Sequence, residues 1–376
     1  MAGIYLHIPF CKKACTYCNF HFSTTLHQRP ELVAALHQEL IHRAGELSGQ
    51  QINTIYLGGG TPSILSADEI HRLLETIFRH YDASGVQEMT LEANPDDLSA
   101  SYLKALRHTP VNRFSIGVQS FREEDLRFMN RAHTATEAEA SIKRAQDTGF
   151  ENLTIDLIYG TPGLTDAHWR DNLNRTAAYG VPHISAYALT VEENTALDHF
   201  IRKGKTPPLA ASQSADQALL LLDWAEAAGY EGYEISNFAR PGHRARHNSA
   251  YWQGVPYLGI GPSAHSYDGA SVRRWNLAHN SQYIQGLADS GIAPHETETL
   301  TDRDRYHEYV MTSLRRIEGI DLGTVREHWG AEAAEKIQET AAGYFASGKL
   351  TQTGTTIALT REGRLFADGI ASDLFL

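Results

Sequence analysis

Three cysteines, Cys11, Cys15 and Cys18, are the only ones in the chain, and all fall within one eight-residue window, CKKACTYC. Scattered structural cysteines do not cluster in this way. An odd number at this spacing leaves one thiol over in any disulfide scheme, so the pattern points to thiolates used as metal ligands in a reducing compartment. A structural zinc site wants four protein ligands, commonly as two distant pairs, and no second cysteine pair exists; His7 or His21 would have to complete the set. Iron-sulfur chemistry fits better. Three thiolates holding a four-iron cube leave one iron with an open coordination position, where a substrate or cofactor can bind.

Further along, Gly58 to Pro62 reads GGGTP. Glycines there free the backbone for close approach of a ligand, although a simple turn has the same composition. Glu92 lies in LEANPDD, where a strand gives way to a turn set by Asn94 and Pro95; taken alone it is a solvated turn carboxylate. Gln119 in GVQSF, Arg131 in NRAH and Asp156 in IDLIYGTP each suit an ordinary hydrogen-bond or ion-pair role. His247 in HNSAYW is one of 19 histidines, most of which must be surface or core residues of no special use. Tyr251 and Trp252 beside it are as readily packing residues as a stacking platform. His265 sits in a glycine- and proline-bounded loop, GIGPSAHSY.

These residues need a scaffold, and short β-rich runs alternating with amphipathic helical stretches supply one. Strands are predicted at 3–8, 52–58, 86–92, 113–119, 152–158 and 183–189, with helices such as 31–47 and 66–80 between them. Six strand-then-helix units build a parallel sheet whose active residues gather at the carboxyl ends of the strands. The motifs obey that rule: the cysteines follow the first strand, the glycines the second, Glu92 and Gln119 end the third and fourth, and Asp156 lies near the end of the fifth. Beyond 300 the pattern is helix (301–316), shorter helix (321–329), helix (331–347), two small strands and a final helix near 361–369, a winged-helix-like appendage. That appendage is not notably basic, so a lid or docking role suits it better than DNA binding. The expected division is 1–230 as a partial barrel, 231–298 as an extension carrying HNSAYW and GIGPSAHSY, and 299–376 as the appendage.

Composition narrows the function classes. With 42% hydrophobic and 21% charged residues the chain is globular, not disordered. A net charge of −12 argues against a sequence-independent grip on nucleic acid. No run approaches the ~20 apolar residues of a transmembrane helix and the start lacks a secretory signal, so a cytoplasmic protein is expected.

The form Cys-x3-Cys-x2-Cys with Tyr17 before the last cysteine resembles the radical S-adenosylmethionine (SAM) enzymes. The resemblance implies that Cys11, Cys15 and Cys18 hold a [4Fe-4S] cluster whose open iron is chelated by SAM, and that an electron from the cluster cleaves SAM to a deoxyadenosyl radical. The ordered series from Tyr5-x-His7 through GGGTP, Glu92, GVQSF, Asn130-Arg131 and Asp156 is similar, over essentially the whole chain, to the oxygen-independent coproporphyrinogen dehydrogenases and their HemW relatives. By that resemblance the fold is α/β, a partial (β/α)6 radical SAM barrel with a helical, winged-helix-like C-terminal domain. SAM is then surrounded by Tyr5, Tyr17, Gly59, Gly60, Thr61, Glu92, Gln119, Arg131, Asp156, Ala188 and His265.

Two details favour the HemW side. The dehydrogenases carry a further cysteine two positions beyond the last ligand, where this chain has Phe20, and HNSAYW resembles the His-Asn-x-x-Tyr segment of HemW-like proteins. HemW proteins are haem chaperones, so the resemblance implies haem as cargo, haem-accepting apoproteins as partners, and an electron donor if SAM is cleaved. His247 becomes the expected haem ligand, since a neutral imidazole is a common axial ligand to haem iron. Two alternatives stay open: coproporphyrinogen oxidation or another radical reaction on a tetrapyrrole, and a cluster used only for electron transfer or sensing. Fold alone does not choose among them.

Overall fold

The computed structural model describes residues 1–376. Six parallel strands form its centre: β1 (Ala2–Ile8), β2 (Ile52–Gly59), β3 (Glu88–Ala93), β4 (Arg113–Gln119), β5 (Leu153–Tyr159) and β6 (His183–Ala188). All six predicted strands are present within a residue or two of the expected ends. Helices cross between them, among them Arg29–His42 and Ala67–His80, the latter started by a capping box in which Ser66 and Glu69 satisfy each other's backbone N–H groups.

The strands owe their placement to alternation. One face carries Ile55, Leu57, Leu91, Phe114, Ile116, Ile155 and Ile184, all buried in the main core beneath the helices. The opposite face carries Thr90, Glu92, Arg113, Ser115, Thr154, Asp156, His183 and Ser185, and this polar face lines the inside of the curved sheet. Its lower layer is a closed network: Arg113 donates to Thr90 and Thr154, and His183 joins Thr154 (3.0 Å) to the Tyr233 hydroxyl (2.8 Å). This layer fills the lower part of the sheet's inner face and leaves Glu92, Ser115, Asp156 and Ser185 to line a cavity above it.

Residues after 230 lengthen the same sheet at both edges. On one side β7 (Glu231–Gly232) and β8 (Asn237–Ala239) add antiparallel to β6. On the other, β9 (Tyr257–Ile260) pairs parallel to β1, followed by antiparallel β10 (His265–Tyr267), β11 (Val272–Asn276) and β12 (His295–Thr299). Leu258, Ile260, Tyr283 and Leu287 belong to the main hydrophobic core, so the segment 231–298 is continuous with the barrel.

The C-terminal domain has its own core, built around Tyr306, Val310, Leu314, Ile337, Ile357 and Ile370. Its helices are Asp302–Arg315, Leu322–Ala346 and Ala367–Asp373, with a three-stranded sheet of β13 (Ile320–Asp321), β14 (Leu350–Thr353) and β15 (Thr356–Leu359). Gly330 breaks the long helix with φ +90°, a conformation open to glycine, and this separates the two predicted helices 321–329 and 331–347. The domain is tied to the barrel by Arg364 donating to the Gly232 carbonyl (2.9 Å) and by the pairs Arg361–Asp223 (2.6 Å) and Arg244–Glu318 (2.8 Å).

Candidate functional site

The cysteines sit in an irregular loop after β1, and irregular backbone needs other tethers. The loop is closed at its base by the Cys11 amide on the Ser23 carbonyl (3.0 Å). Thr16 N–H donates to the Met129 carbonyl (3.1 Å) and the Asn130 amide to the Ala14 carbonyl (2.7 Å). Asn130 pays for that reach with a left-handed backbone, φ +57°. All three thiols are free and half-buried. Thr61 Oγ1 donates to Cys11 Sγ (3.4 Å), and the Arg131 guanidinium donates to Cys15 Sγ (3.2 Å) while bracing on Asn94 Oδ1 (2.6 Å) and the Gly117 carbonyl (2.7 Å).

The thiols border a cavity of about 860 Å³ at the carboxyl ends of the strands. Tyr17, Gly59, Gly60, Thr61, Glu92, Gln119, Arg131, Asp156 and Ala188 line the same space, so nine of the eleven residues expected around SAM surround it together with the cysteines. Gln119 holds a left-handed conformation, φ +65°, at the end of β4. No three His, Cys, Asp or Glu side chains converge closely enough for a single metal ion.

Glu92 accepts a hydrogen bond from the Tyr56 hydroxyl (2.7 Å) and another from the Gly59 amide (3.2 Å). Burial nonetheless pushes its carboxyl up to about 7, with Asp156 adding to the effect. Asp156 accepts from Ser115 (3.2 Å) and is pushed up to about 6, again by burial. Two carboxylates held near the edge of ionisation in one cavity are a receptor for a cationic ligand, which would pull both into the charged form.

The glycine loop passes close under this cavity. A Cβ on Gly60 would lie 2.8 Å from the Phe10 carbonyl oxygen and 2.9 Å from its nitrogen, both backbone atoms that cannot swing away. Gly60→Ala is therefore expected to cost about 1–3 kcal/mol of stability in urea denaturation. Gly45→Ala, with nothing within 4 Å of the new carbon, is the matched control.

Tyr5 and His265, the other two of the eleven, do not line that cavity, although the Tyr5 ring and Glu92 Oε1 lie 2.9 and 3.1 Å from the point where Gly58 would carry a Cβ. Tyr5 and His265 line a second, larger cavity of about 1350 Å³ between β9–β11 and the helices of the C-terminal domain. His265 reaches this second space from β10, in company with Tyr5, Gly59 and Glu92. The cavities share Asn19, Phe20, Gly59 and Glu92 as a common wall. Phe20 is 70% exposed, an unusual state for a large apolar side chain at such a junction.

His247 differs from expectation most of all. It is 1% exposed and both ring nitrogens are taken, Nδ1 by Thr54 Oγ1 (2.8 Å) and Nε2 by the Tyr251 hydroxyl (2.9 Å). Burial lowers its pKa to about 3, so it is neutral, yet it has no free nitrogen to offer iron. What reaches the second cavity is Tyr251, held by His247, and its neighbour Trp252. His247→Ala is expected to destabilise the fold by about 2–4 kcal/mol, from the lost ring and two orphaned hydroxyls, measured by denaturant titration.

The radical SAM superfamily matches residues 5–175, and the HemN C-terminal domain matches residues 300–366. A solved structure of Escherichia coli coproporphyrinogen III oxidase (HemN), described as a radical SAM enzyme, is similar over 100% of this chain and 90% of that one, with a TM-score of 0.86 at 26% identity. Heme chaperone HemW of Bacillus subtilis is 33% identical over 98% of both chains. Heme chaperone HemW of Mycobacterium tuberculosis is 34% identical over 99% of this chain and 94% of that one. Its Escherichia coli counterpart is 31% identical over 100% of this chain and 98% of the relative.

The chain belongs to the HemW family. Membership in the radical SAM superfamily implies a [4Fe-4S] cluster and SAM, and the residues present fit both: three thiols around one space, a glycine loop that leaves room for a ligand, and two buried carboxylates for a cation. As in the HemW relatives, the kinship runs through the C-terminal domain, which contributes Arg364 and Phe366 to the first cavity and Tyr309 and Trp329 to the second. No helix of this HemW-family protein is long and apolar enough to cross a membrane.

Proposed function

We propose that this protein is a haem chaperone that binds a [4Fe-4S] cluster and SAM and passes haem to acceptor apoproteins. The observation that carries this reading is kinship with heme chaperones at 30–34% identity over nearly the whole length of both partners. In it, Cys11, Cys15 and Cys18 hold the cluster, and Tyr5, Tyr17, Gly59, Gly60, Thr61, Glu92, Gln119, Arg131, Asp156 and Ala188 enclose SAM. When bound, the cluster supplies a low-potential electron and SAM a sulfonium that such an electron can cleave.

The protein's own groups do the rest. Thr61 and Arg131 place a hydroxyl and a guanidinium against cysteine sulfur, which stabilises thiolate charge. Glu92 and Asp156 offer negative charge to the amino and sulfonium groups. Phe20 stands where the dehydrogenases have their further cysteine, which weighs against coproporphyrinogen oxidation. A cytoplasmic setting, an electron donor and a haem-accepting apoprotein complete the reading.

The test is a haem titration of the purified protein followed by mixing with an apo-haem protein. Saturable, stoichiometric binding and onward transfer are expected. Absence of saturable haem binding would overturn the proposal.

A further inference from the structure

Histidines at the second cavity can be sorted by what their nitrogens already do. His7 is engaged by the Tyr5 hydroxyl (3.2 Å) and by the His21 carbonyl (3.0 Å), and His21 by Asn280 (2.8 Å). His247 lies behind Tyr251 with both nitrogens occupied. His265 and His328 also line the cavity, and no protein group hydrogen-bonds either nitrogen of either ring. Only His265 lies flat on a neighbour, stacked on Trp275 with centroids 5.7 Å and planes 23° apart, whereas His328 is tilted by 52° against Trp329. The stack and the strand fix the direction of the His265 ring, as an iron ligand needs. Burial and the nearby Arg273 lower its pKa, favouring the neutral form that binds metal.

Charges at the cavity sort in the same way. Arg273 is paired with Glu308 (2.5 Å) and Arg305 with Asp302. Arg316 also lines the cavity, but its one side-chain contact is with Ser313 Oγ (3.3 Å), and its buried Nε has no partner. A half-buried guanidinium without a carboxylate is a ready receptor for an anion. Around these two groups stand Tyr251, Trp252, Tyr309 and Trp329, flat apolar surfaces from both walls. The volume, about 1350 Å³, exceeds the roughly 300–1,000 Å³ of ordinary small-molecule sites.

We propose that haem occupies this second cavity, with His265 as its iron ligand and Arg316 as the anchor of a propionate. The assignment rests on the haem-chaperone reading and goes beyond it by moving iron ligation away from His247. In it, Trp252 and Trp329 pack against the macrocycle, while His247 acts only by positioning Tyr251.

The experiment compares wild type, His265→Ala and Arg316→Met by haem titration, using both haem and its dimethyl ester. His265→Ala is expected to lose the shifted Soret band of ligated haem and to regain it when free imidazole is added. Arg316→Met is expected to weaken haem binding tenfold or more, while binding of the ester, which lacks the carboxylates, stays at the wild-type level. Wild-type spectra and affinities in both variants would overturn the assignment while leaving the chaperone reading intact. Failure of the wild-type protein to bind haem would overturn both.

Discussion

A Cys15→Ser protein, reconstituted anaerobically with iron and sulfide, is expected to lose the broad visible absorbance of the cluster and with it measurable SAM affinity. Two thiolates cannot replace three in holding a four-iron cube, and no fourth cysteine exists to take the vacant place. The loss should not come from unfolding. Cys15 is half-buried in a loop whose tethers run through backbone groups and Asn130, so the stability of the metal-free variant is expected to stay within about 0.5 kcal/mol of wild type. Burial pushes the Cys11 thiol up to about 11, so the unloaded loop carries a protonated Cys11 near neutral pH, and cluster assembly must release that proton. Iron content and SAM affinity equal to wild type in the serine variant would remove the cysteines from the site.

The second large effect is a pH dependence of SAM binding that passes through Glu92. Its carboxyl, pushed up to about 7 by burial, is mostly ionised at pH 8 and mostly protonated at pH 6, whereas a bound cation demands the ionised form. SAM affinity is therefore expected to fall roughly tenfold from pH 8 to pH 6 through Glu92 alone, and further as Asp156 protonates near 6. Stability of the ligand-free protein moves the other way. Because the folded state holds the Glu92 proton more tightly than the unfolded chain, stability falls as pH rises from the ordinary carboxylate range to about 7. Glu92→Gln removes the charge, so it should weaken SAM binding at pH 8 while flattening both pH profiles. Equilibrium dialysis with labelled SAM across the pH range reads the first effect and denaturant titration the second. A flat affinity profile in the wild-type protein would exclude Glu92 from the SAM site.

The six central strands were legible because each is a run of β-branched and aromatic residues bounded by turn residues, and local composition decides such elements. The cluster loop was legible from spacing alone, and the glycine loop from its place after β2. Pairing of β9 with β1 was not legible: Tyr257–Ile260 is four residues long, and its partner lies some 250 residues away, held by a contact no local pattern announces. That same pairing carries His265 into the second cavity. His247 misled for a related reason. A histidine beside Asn, Tyr and Trp looks alike whether its nitrogens are free or spent, and only burial against Thr54 distinguishes the two. Arg316 gave no signal at all, since an arginine without a carboxylate is recognised by what fails to surround it.

The measurement that bears most directly on function sets two assays of the anaerobically reconstituted protein side by side, a haem titration and an incubation with SAM, a reductant and coproporphyrinogen III. The prediction is one haem bound per chain, with no decarboxylated porphyrinogen formed. Turnover to protoporphyrinogen would contradict it, and would mean that Phe20 in place of a further cysteine does not bar the oxidation of a propionate side chain.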